Sequence, residues 1–142
     1  MAKILVPVDG SNGALRALVF AIKRAKEKPG TRLHVLTVHP PFRAYGRAAV
    51  LAHEKQIREW ATEHDAQVLR GAEKRLRRAR VPYATEALEG DAAQMIARRA
   101  KALKCDSIIM GTRGLGRVAA LVMGSVATKV IHLTPLPVTL VK

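Results

Sequence analysis

The run Lys3-Ile4-Leu5-Val6-Pro7-Val8-Asp9, KILVPVD, is apolar from its second residue to its sixth and ends on an acid followed by Gly10-Ser11. A strand with one wet face alternates apolar and polar side chains. An unbroken apolar run is how a strand covered on both faces reads, and parallel sheets are where such strands occur. The next stretch supplies a cover. In SNGALRALVFAIKRAKEKPG, Leu15, Leu18, Val19, Ile22 and Ala25 fall at helical spacing. Ser11 or Asn12 is the expected N-cap and Pro29-Gly30 the stop.

The same alternation continues along the chain. RLHVLTVHPP (Arg32–Pro41) reads as a second strand closed by two prolines, and a turn-rich stretch, PPFRAYG, follows. A long helix is expected from about Ala48 to Arg80. VPYATEALEGD (Val81–Asp91) reads as a third and weaker strand. Asp91 and Gln94 have the spacing of a capping box for a helix through Leu103. CDSIIMGT is a fourth strand, a helix is expected from about Ser125 to Leu133, and PLPVTLVK is a fifth strand. Strands alternating with helices predict an α/β, doubly wound (Rossmann-like) fold, with a five-stranded parallel sheet, helices on both faces and right-handed crossovers. No linker, repeat or low-complexity tract divides residues 1–142, so one domain is expected.

Composition narrows the setting. The 142 residues are 49% hydrophobic, which argues against disorder. Lys and Arg number 25 against 11 Asp and Glu, a net charge of +14, so acidic or phosphate-bearing partners are expected. Cys105 is the single cysteine, which excludes an internal disulfide and suits a reducing cytosol. MAKILVPVDGS does not read as a signal peptide, and no segment approaches the ~20 apolar residues of a membrane span. A cytoplasmic protein without membrane attachment is the expectation.

In open parallel sheets ligands sit at the carboxyl ends of the strands, where the strand order reverses. Asp9 closes the first strand. Gly111 opens the stretch after the fourth, GTRGLGRVAALVMGSVATKVI (Gly111–Ile131), with four glycines and a serine. Three phosphate patterns can be set against it. The Walker pattern fails, because no Gly-Lys pair occurs in the chain. The dinucleotide pattern matches at Gly114, Gly116 and Ala119, but its acidic ribose partner is missing, since no Asp or Glu follows Asp106. The third fits throughout: Gly111-x2-Gly114-x9-Gly124-Ser125. At ordinary residue frequencies its chance occurrence in a chain of this length is under about 1%.

With that spacing, with ILVPVDGS, IIMGTRGLGR and MGSVATKVI, and with PLPVTLVK at the end, the chain resembles the universal stress proteins over essentially its whole length, specifically their ATP-binding branch. The resemblance implies adenine lined by the backbone of Pro7 and Val8 and by Val38, with Met110 bordering the pocket and Asp9 on the nucleoside side. Gly111, Arg113, Gly114, Gly124 and Ser125 are the expected phosphate side of the site, with Val126 beside them. The chemistry is consistent with this. Glycines let backbone amides approach phosphate, a helix N-terminus favours anions, and Arg pairs with phosphate oxygens. The Ser125 hydroxyl could meet a phosphate oxygen, or a metal such as Mg2+ or Mn2+ accompanying ATP. The resemblance further implies a nucleotide-dependent stress-response or signalling module and a homodimer paired through the apolar, β-branched last strand.

Blander readings stand beside these. The glycines could serve only to turn the chain, Asp9 could cap the first helix, and Arg113 and Arg117 could be solvated loop charges. His34, His39, His53, His64 and His132 show no metal spacing, and no catalytic serine elbow or activated cysteine is evident. Weak ATP hydrolysis is an alternative, though no residue can be assigned to orient a water. A nucleic-acid-binding module is another. Arg70, Lys74, Arg77 and Arg78 form a basic helical stripe opposite Leu69, Ala72, Leu76 and Ala79, but five aromatics supply little base stacking.

Overall fold

The apolar run at the N-terminus becomes β1 (Lys3–Pro7), the central strand of a parallel sheet. The computed structural model describes residues 2–41, 47–112 and 123–142, with the backbone alone for 47–53. Among them the chain runs β1, α1 (Asn12–Glu27), β2 (Arg32–His39), α2 (Arg47–Ala79), β3 (Tyr83–Glu89), α3 (Ala92–Ala102), β4 (Ser107–Gly111), α4 (Ser125–Leu133) and β5 (Val138–Val141). The sheet order is β3-β2-β1-β4-β5, and every pair is parallel. This is the doubly wound α/β fold, with β1 and β4 side by side where the strand order reverses.

The pleat of β1 divides the core. Ile4, Val6 and Val8 face one side and pack with Ala14, Ala17, Leu18 and Ala21 of α1 and with Ala72 and Leu76 of α2. Leu5 faces the other side, with Ile96 and Ala100 of α3, Ile108 and Met110 of β4, and Ala127 and Val130 of α4. Both faces of β1 are covered, which is why its sequence does not alternate. The weaker reading of β3 has its cause in its place at a sheet edge, where none of its residues is fully buried.

Local signals set the element ends. Ser11 caps α1, its Oγ accepting from the Ala14 N–H at 3.2 Å. Asp91 caps α3, accepting from the Gln94 N–H at 3.0 Å. α3 closes through Lys104 at φ 55°, with the Cys105 N–H donating to the Ala100 carbonyl at 2.9 Å and the Lys104 N–H to the Lys101 carbonyl at 3.1 Å. That is a Schellman closure with a lysine where glycine is usual. No described helix is long and apolar enough to cross a membrane.

Candidate functional site at the carboxyl edge of β1 and β4

The edge is assembled from β1, β2, β4 and α4. Register pairs Ile4 with Ser107 and Leu5 with Ile108, so Pro7–Asp9 and Met110–Thr112 leave the sheet as neighbours. Pro7 pairs with Leu36 and the Val8 N–H donates to the Leu36 carbonyl at 2.8 Å, which brings Val38 alongside. The Gly124 N–H donates to the Thr112 carbonyl, returning the start of α4 to the end of β4. Pro7, Val8, Asp9, Val38, Met110, Gly111, Gly124, Ser125 and Val126 therefore border one edge. Arg113 and Gly114 lie outside the described residues, as do Gly116 and Arg117.

The residues differ in what they leave open. Val8 has committed its N–H, and Pro7 has none to offer. Met110 is buried in the α3/α4 core, and Val38 packs partly against the same core. Asp9 accepts from the Ser11 N–H through Oδ1 at 2.9 Å, and the helix cap proper is Ser11. The second Asp9 oxygen has no hydrogen bond among the described residues. Gly124 is the N-cap of α4 and offers no side-chain acceptor, while Ser125 and Val126 beside it are exposed. The first amides of α4 thus point out of a helix terminus with no side-chain cap among the described residues, an arrangement suited to an anion.

Gly111 has a second reason to be glycine. A Cβ there would stand 2.9 Å from the backbone C and O of Gly13 in α1. The close approach of α1 to β4 needs a bare backbone at this point, whatever binds nearby.

One pair at this edge was missed in the sequence. His39, immediately after Val38, meets Asp65 of α2, Nδ1 to Oδ2, at 2.5 Å. Asp65 is 4% exposed. The signal was available: Ala61, Asp65, Ala72 and Leu76 share the buried stripe of α2, and an acid on such a stripe requires a partner. The pair ties the long helix to the carboxyl end of β2. A second network joins His34 and Arg99 to Glu86, at 2.8 and 3.1 Å, binding β2, β3 and α3 together.

The five-stranded parallel sheet, with β1 and β4 meeting at its switch point and α4 starting beside them, places the chain in the doubly wound, Rossmann-like class of α/β proteins. Within that class, the Universal stress protein family model matches residues 1–142, and the chain belongs to that family. The universal stress protein MJ0531 of Methanocaldococcus jannaschii is 35% identical over 142 residues, covering 99% of this chain and 81% of the relative. The solved structure of MJ0577 superposes with a TM-score of 0.86 at 26% identity, covering 99% of this chain and 95% of that one. A universal stress protein of Archaeoglobus fulgidus, solved in complex with dAMP, superposes with a TM-score of 0.70 at 25% identity, covering 100% and 98%.

Proposed function

We propose that this chain is an ATP-binding universal stress protein, a cytoplasmic module whose stress-response or signalling state follows its bound nucleotide. The observation that carries the reading is the Gly124–Thr112 hydrogen bond, which sets the uncapped N-terminus of α4 against the end of β4 at the switch point. The Archaeoglobus relative with dAMP supports an adenine nucleotide as the occupant. Phosphates lie on the amides of Ser125 and Val126 and against Gly111 and Gly114, with Arg113 as counter-charge. The Ser125 hydroxyl meets a phosphate oxygen or the Mg2+ or Mn2+ that travels with the triphosphate. Val38 and Met110 wall the adenine, the backbone of Pro7 and Val8 lines it, and the free Asp9 oxygen takes a nucleoside hydroxyl or amine. Two chains pair through β5.

Calorimetric titration with ATP tests the site. Gly124 sits at φ −75°, ψ 166°, a conformation open to any residue, so Gly124→Val preserves the backbone and places a side chain where the phosphate lies. Binding should be abolished in the folded variant. Asp9→Asn keeps an acceptor for the Ser11 N–H while removing the charge, and should weaken ATP roughly tenfold or more. Wild-type affinity in a folded Gly124→Val protein would refute the assignment.

A further inference from the structure

Across the sheet from Val38, Met110 and α4, helices α1 and α2 leave a cleft of about 480 Å³ between them. Its apolar lining is half-buried Leu15 and Val68 over the core residues Val8, Leu18 and Ala72, and its α2 side carries Lys74, Arg75 and Arg78. Gly71 lines it, and a Cβ at that position would meet no atom within 4 Å, so there is open space above it. The basic stripe legible in the sequence is therefore divided. Arg77 is engaged by Glu73 at 3.0 Å and by the Tyr83 hydroxyl at 3.2 Å, whereas Lys74 and Arg78, joined by Arg75, line the cleft.

Among the described residues none of these three cations has an ion pair. Glu73 is taken by Arg77 and by the Thr85 hydroxyl, Asp65 by His39, and Glu27, the first acid of α1, by Arg24. Asp9, at the β1 end, holds the Ser11 N–H through one oxygen and has no ion pair among the described residues. Residues 42–53 and 113–122 contain no Asp or Glu, so no ion pair can come from them. Lys74, Arg75 and Arg78 are exposed, so water screens their repulsion, but together they attract anions to the cleft, and the apolar lining beside them favours an anion that carries an apolar body.

The dimensions say which anion. Small-molecule sites occupy roughly 300–1,000 Å³, so the cleft suits one small molecule and not a helix or a duplex. A phosphomonoester dianion balances three cations better than a carboxylate, and the arginine fork fits phosphate in bidentate fashion. We infer that the α1–α2 cleft binds a small organic phosphate, its phosphate held by Lys74, Arg75 and Arg78 and its apolar body resting on Leu15 and Val68. The two sites meet at Val8, whose side chain lies on the cleft side of the sheet and whose backbone borders the β1–β4 edge, while the sheet stands between the cleft and Val38, Met110 and α4.

The test is an NMR titration of the full chain with hexyl phosphate, with inorganic phosphate and hexanol as its separate halves. Hexyl phosphate should shift the amides of Gly10–Leu18 and Gln67–Arg78 saturably and bind more tightly than either half. Gly71→Leu fills the cleft, and Arg75→Glu with Arg78→Glu reverses its charge. Each should weaken hexyl phosphate by roughly tenfold or more, with ATP affinity unchanged and its shifts still at Gly124–Ala127. Hexyl phosphate binding no tighter than inorganic phosphate, or intact in folded Gly71→Leu, overturns the proposal. So do duplex DNA or phosphatidic acid vesicles shifting these amides where hexyl phosphate does not, which would assign the surface to a polyanion. ATP shifts falling on the cleft would overturn both sites together. ATP failing to bind while hexyl phosphate binds here would refute only the nucleotide reading and support the cleft.

Discussion

A hydrogen in place of a methyl group at Gly111 decides how closely α1 can approach β4. A methyl group at that position would lie 2.9 Å from two backbone atoms of Gly13, and backbone cannot swing aside as a flexible side chain can. Gly111→Ala should therefore destabilise the protein without any ligand, by about 1–3 kcal/mol, the usual range for overpacking. Urea denaturation in nucleotide-free buffer measures this. An unchanged midpoint would leave the glycine to the ligand alone. Cys105 is a second residue whose surroundings set its chemistry. Burial pushes its thiol pKa up and Asp106 adds to that, against Lys3 and Arg99. Iodoacetamide should thus label the native protein slowly at a pH near 8.5, where an ordinary thiol is about half ionised, and rapidly in denaturant. The raised pKa also carries a stability consequence. The contribution is full below the ordinary thiol pKa and declines as pH rises toward the raised one, because only the unfolded chain ionises readily there. Midpoints of wild type and Cys105→Ala compared between neutral pH and pH ~10 should show wild type losing more stability.

At the scale of the element, helix ends explain more of this chain than helix middles. α3 starts on Asp91 and closes on Lys104, whose φ of 55° is the left-handed conformation. A side chain there costs roughly 1–2 kcal/mol. Lys104→Gly should recover part of that, about 1 kcal/mol, while the Cys105-to-Ala100 hydrogen bond persists. Thermal denaturation should show a higher midpoint, and a lower one would mean that the lysine side chain makes a contribution the closure does not account for. α2 is the contrary case. Its burial stripe includes an aspartate and its exposed side is crowded with cations, so it is held by tertiary partners, Asp65 through His39 and Glu73 through Thr85. Helix propensity alone does not account for it.

For the whole molecule, the open question is the free edge of the sheet. Among the described residues no strand pairs with the outer side of β5. Ile108 donates to the Pro137 carbonyl and Thr112 to the Val141 carbonyl. Parallel strands alternate the direction of their backbone groups, so the N–H and C=O of Val138 and Leu140 face outward. Their side chains pack against the α3/α4 core, and lysines there would damage the monomer before they tested any interface. α4, which leads into this strand, leaves Ile131 and Leu133 exposed. An unpaired apolar edge is a pairing hazard that a two-fold mate removes symmetrically. The expected outcome is twice the monomer mass by light scattering, with hydrogen exchange at Val138 and Leu140 slowed on dimerisation. A monomer at tens of micromolar with fast exchange at both amides would exclude pairing through β5.

The order of strands and helices, the two covered faces of β1, the cap at Asp91, a cap at Ser11 or Asn12 and the start of α4 near Ser125 were all legible in the chain, and the structure chose Ser11. Each depends on neighbours within a few residues, through periodicity, a side chain reaching a nearby amide, or a break in the apolar pattern. Pro7–Asp9 and Gly124–Ser125 could be nominated for one site because topology sends strand ends to a common edge. Tertiary structure alone decided the rest. The Gly111–Gly13 contact, the His39–Asp65 pair, and the parting of Arg77 from Lys74, Arg75 and Arg78 join residues far apart in sequence, or divide residues adjacent on one helix. Local patterning records which face of an element is apolar. It does not record which partner that face meets, because the partner is chosen by how the elements pack.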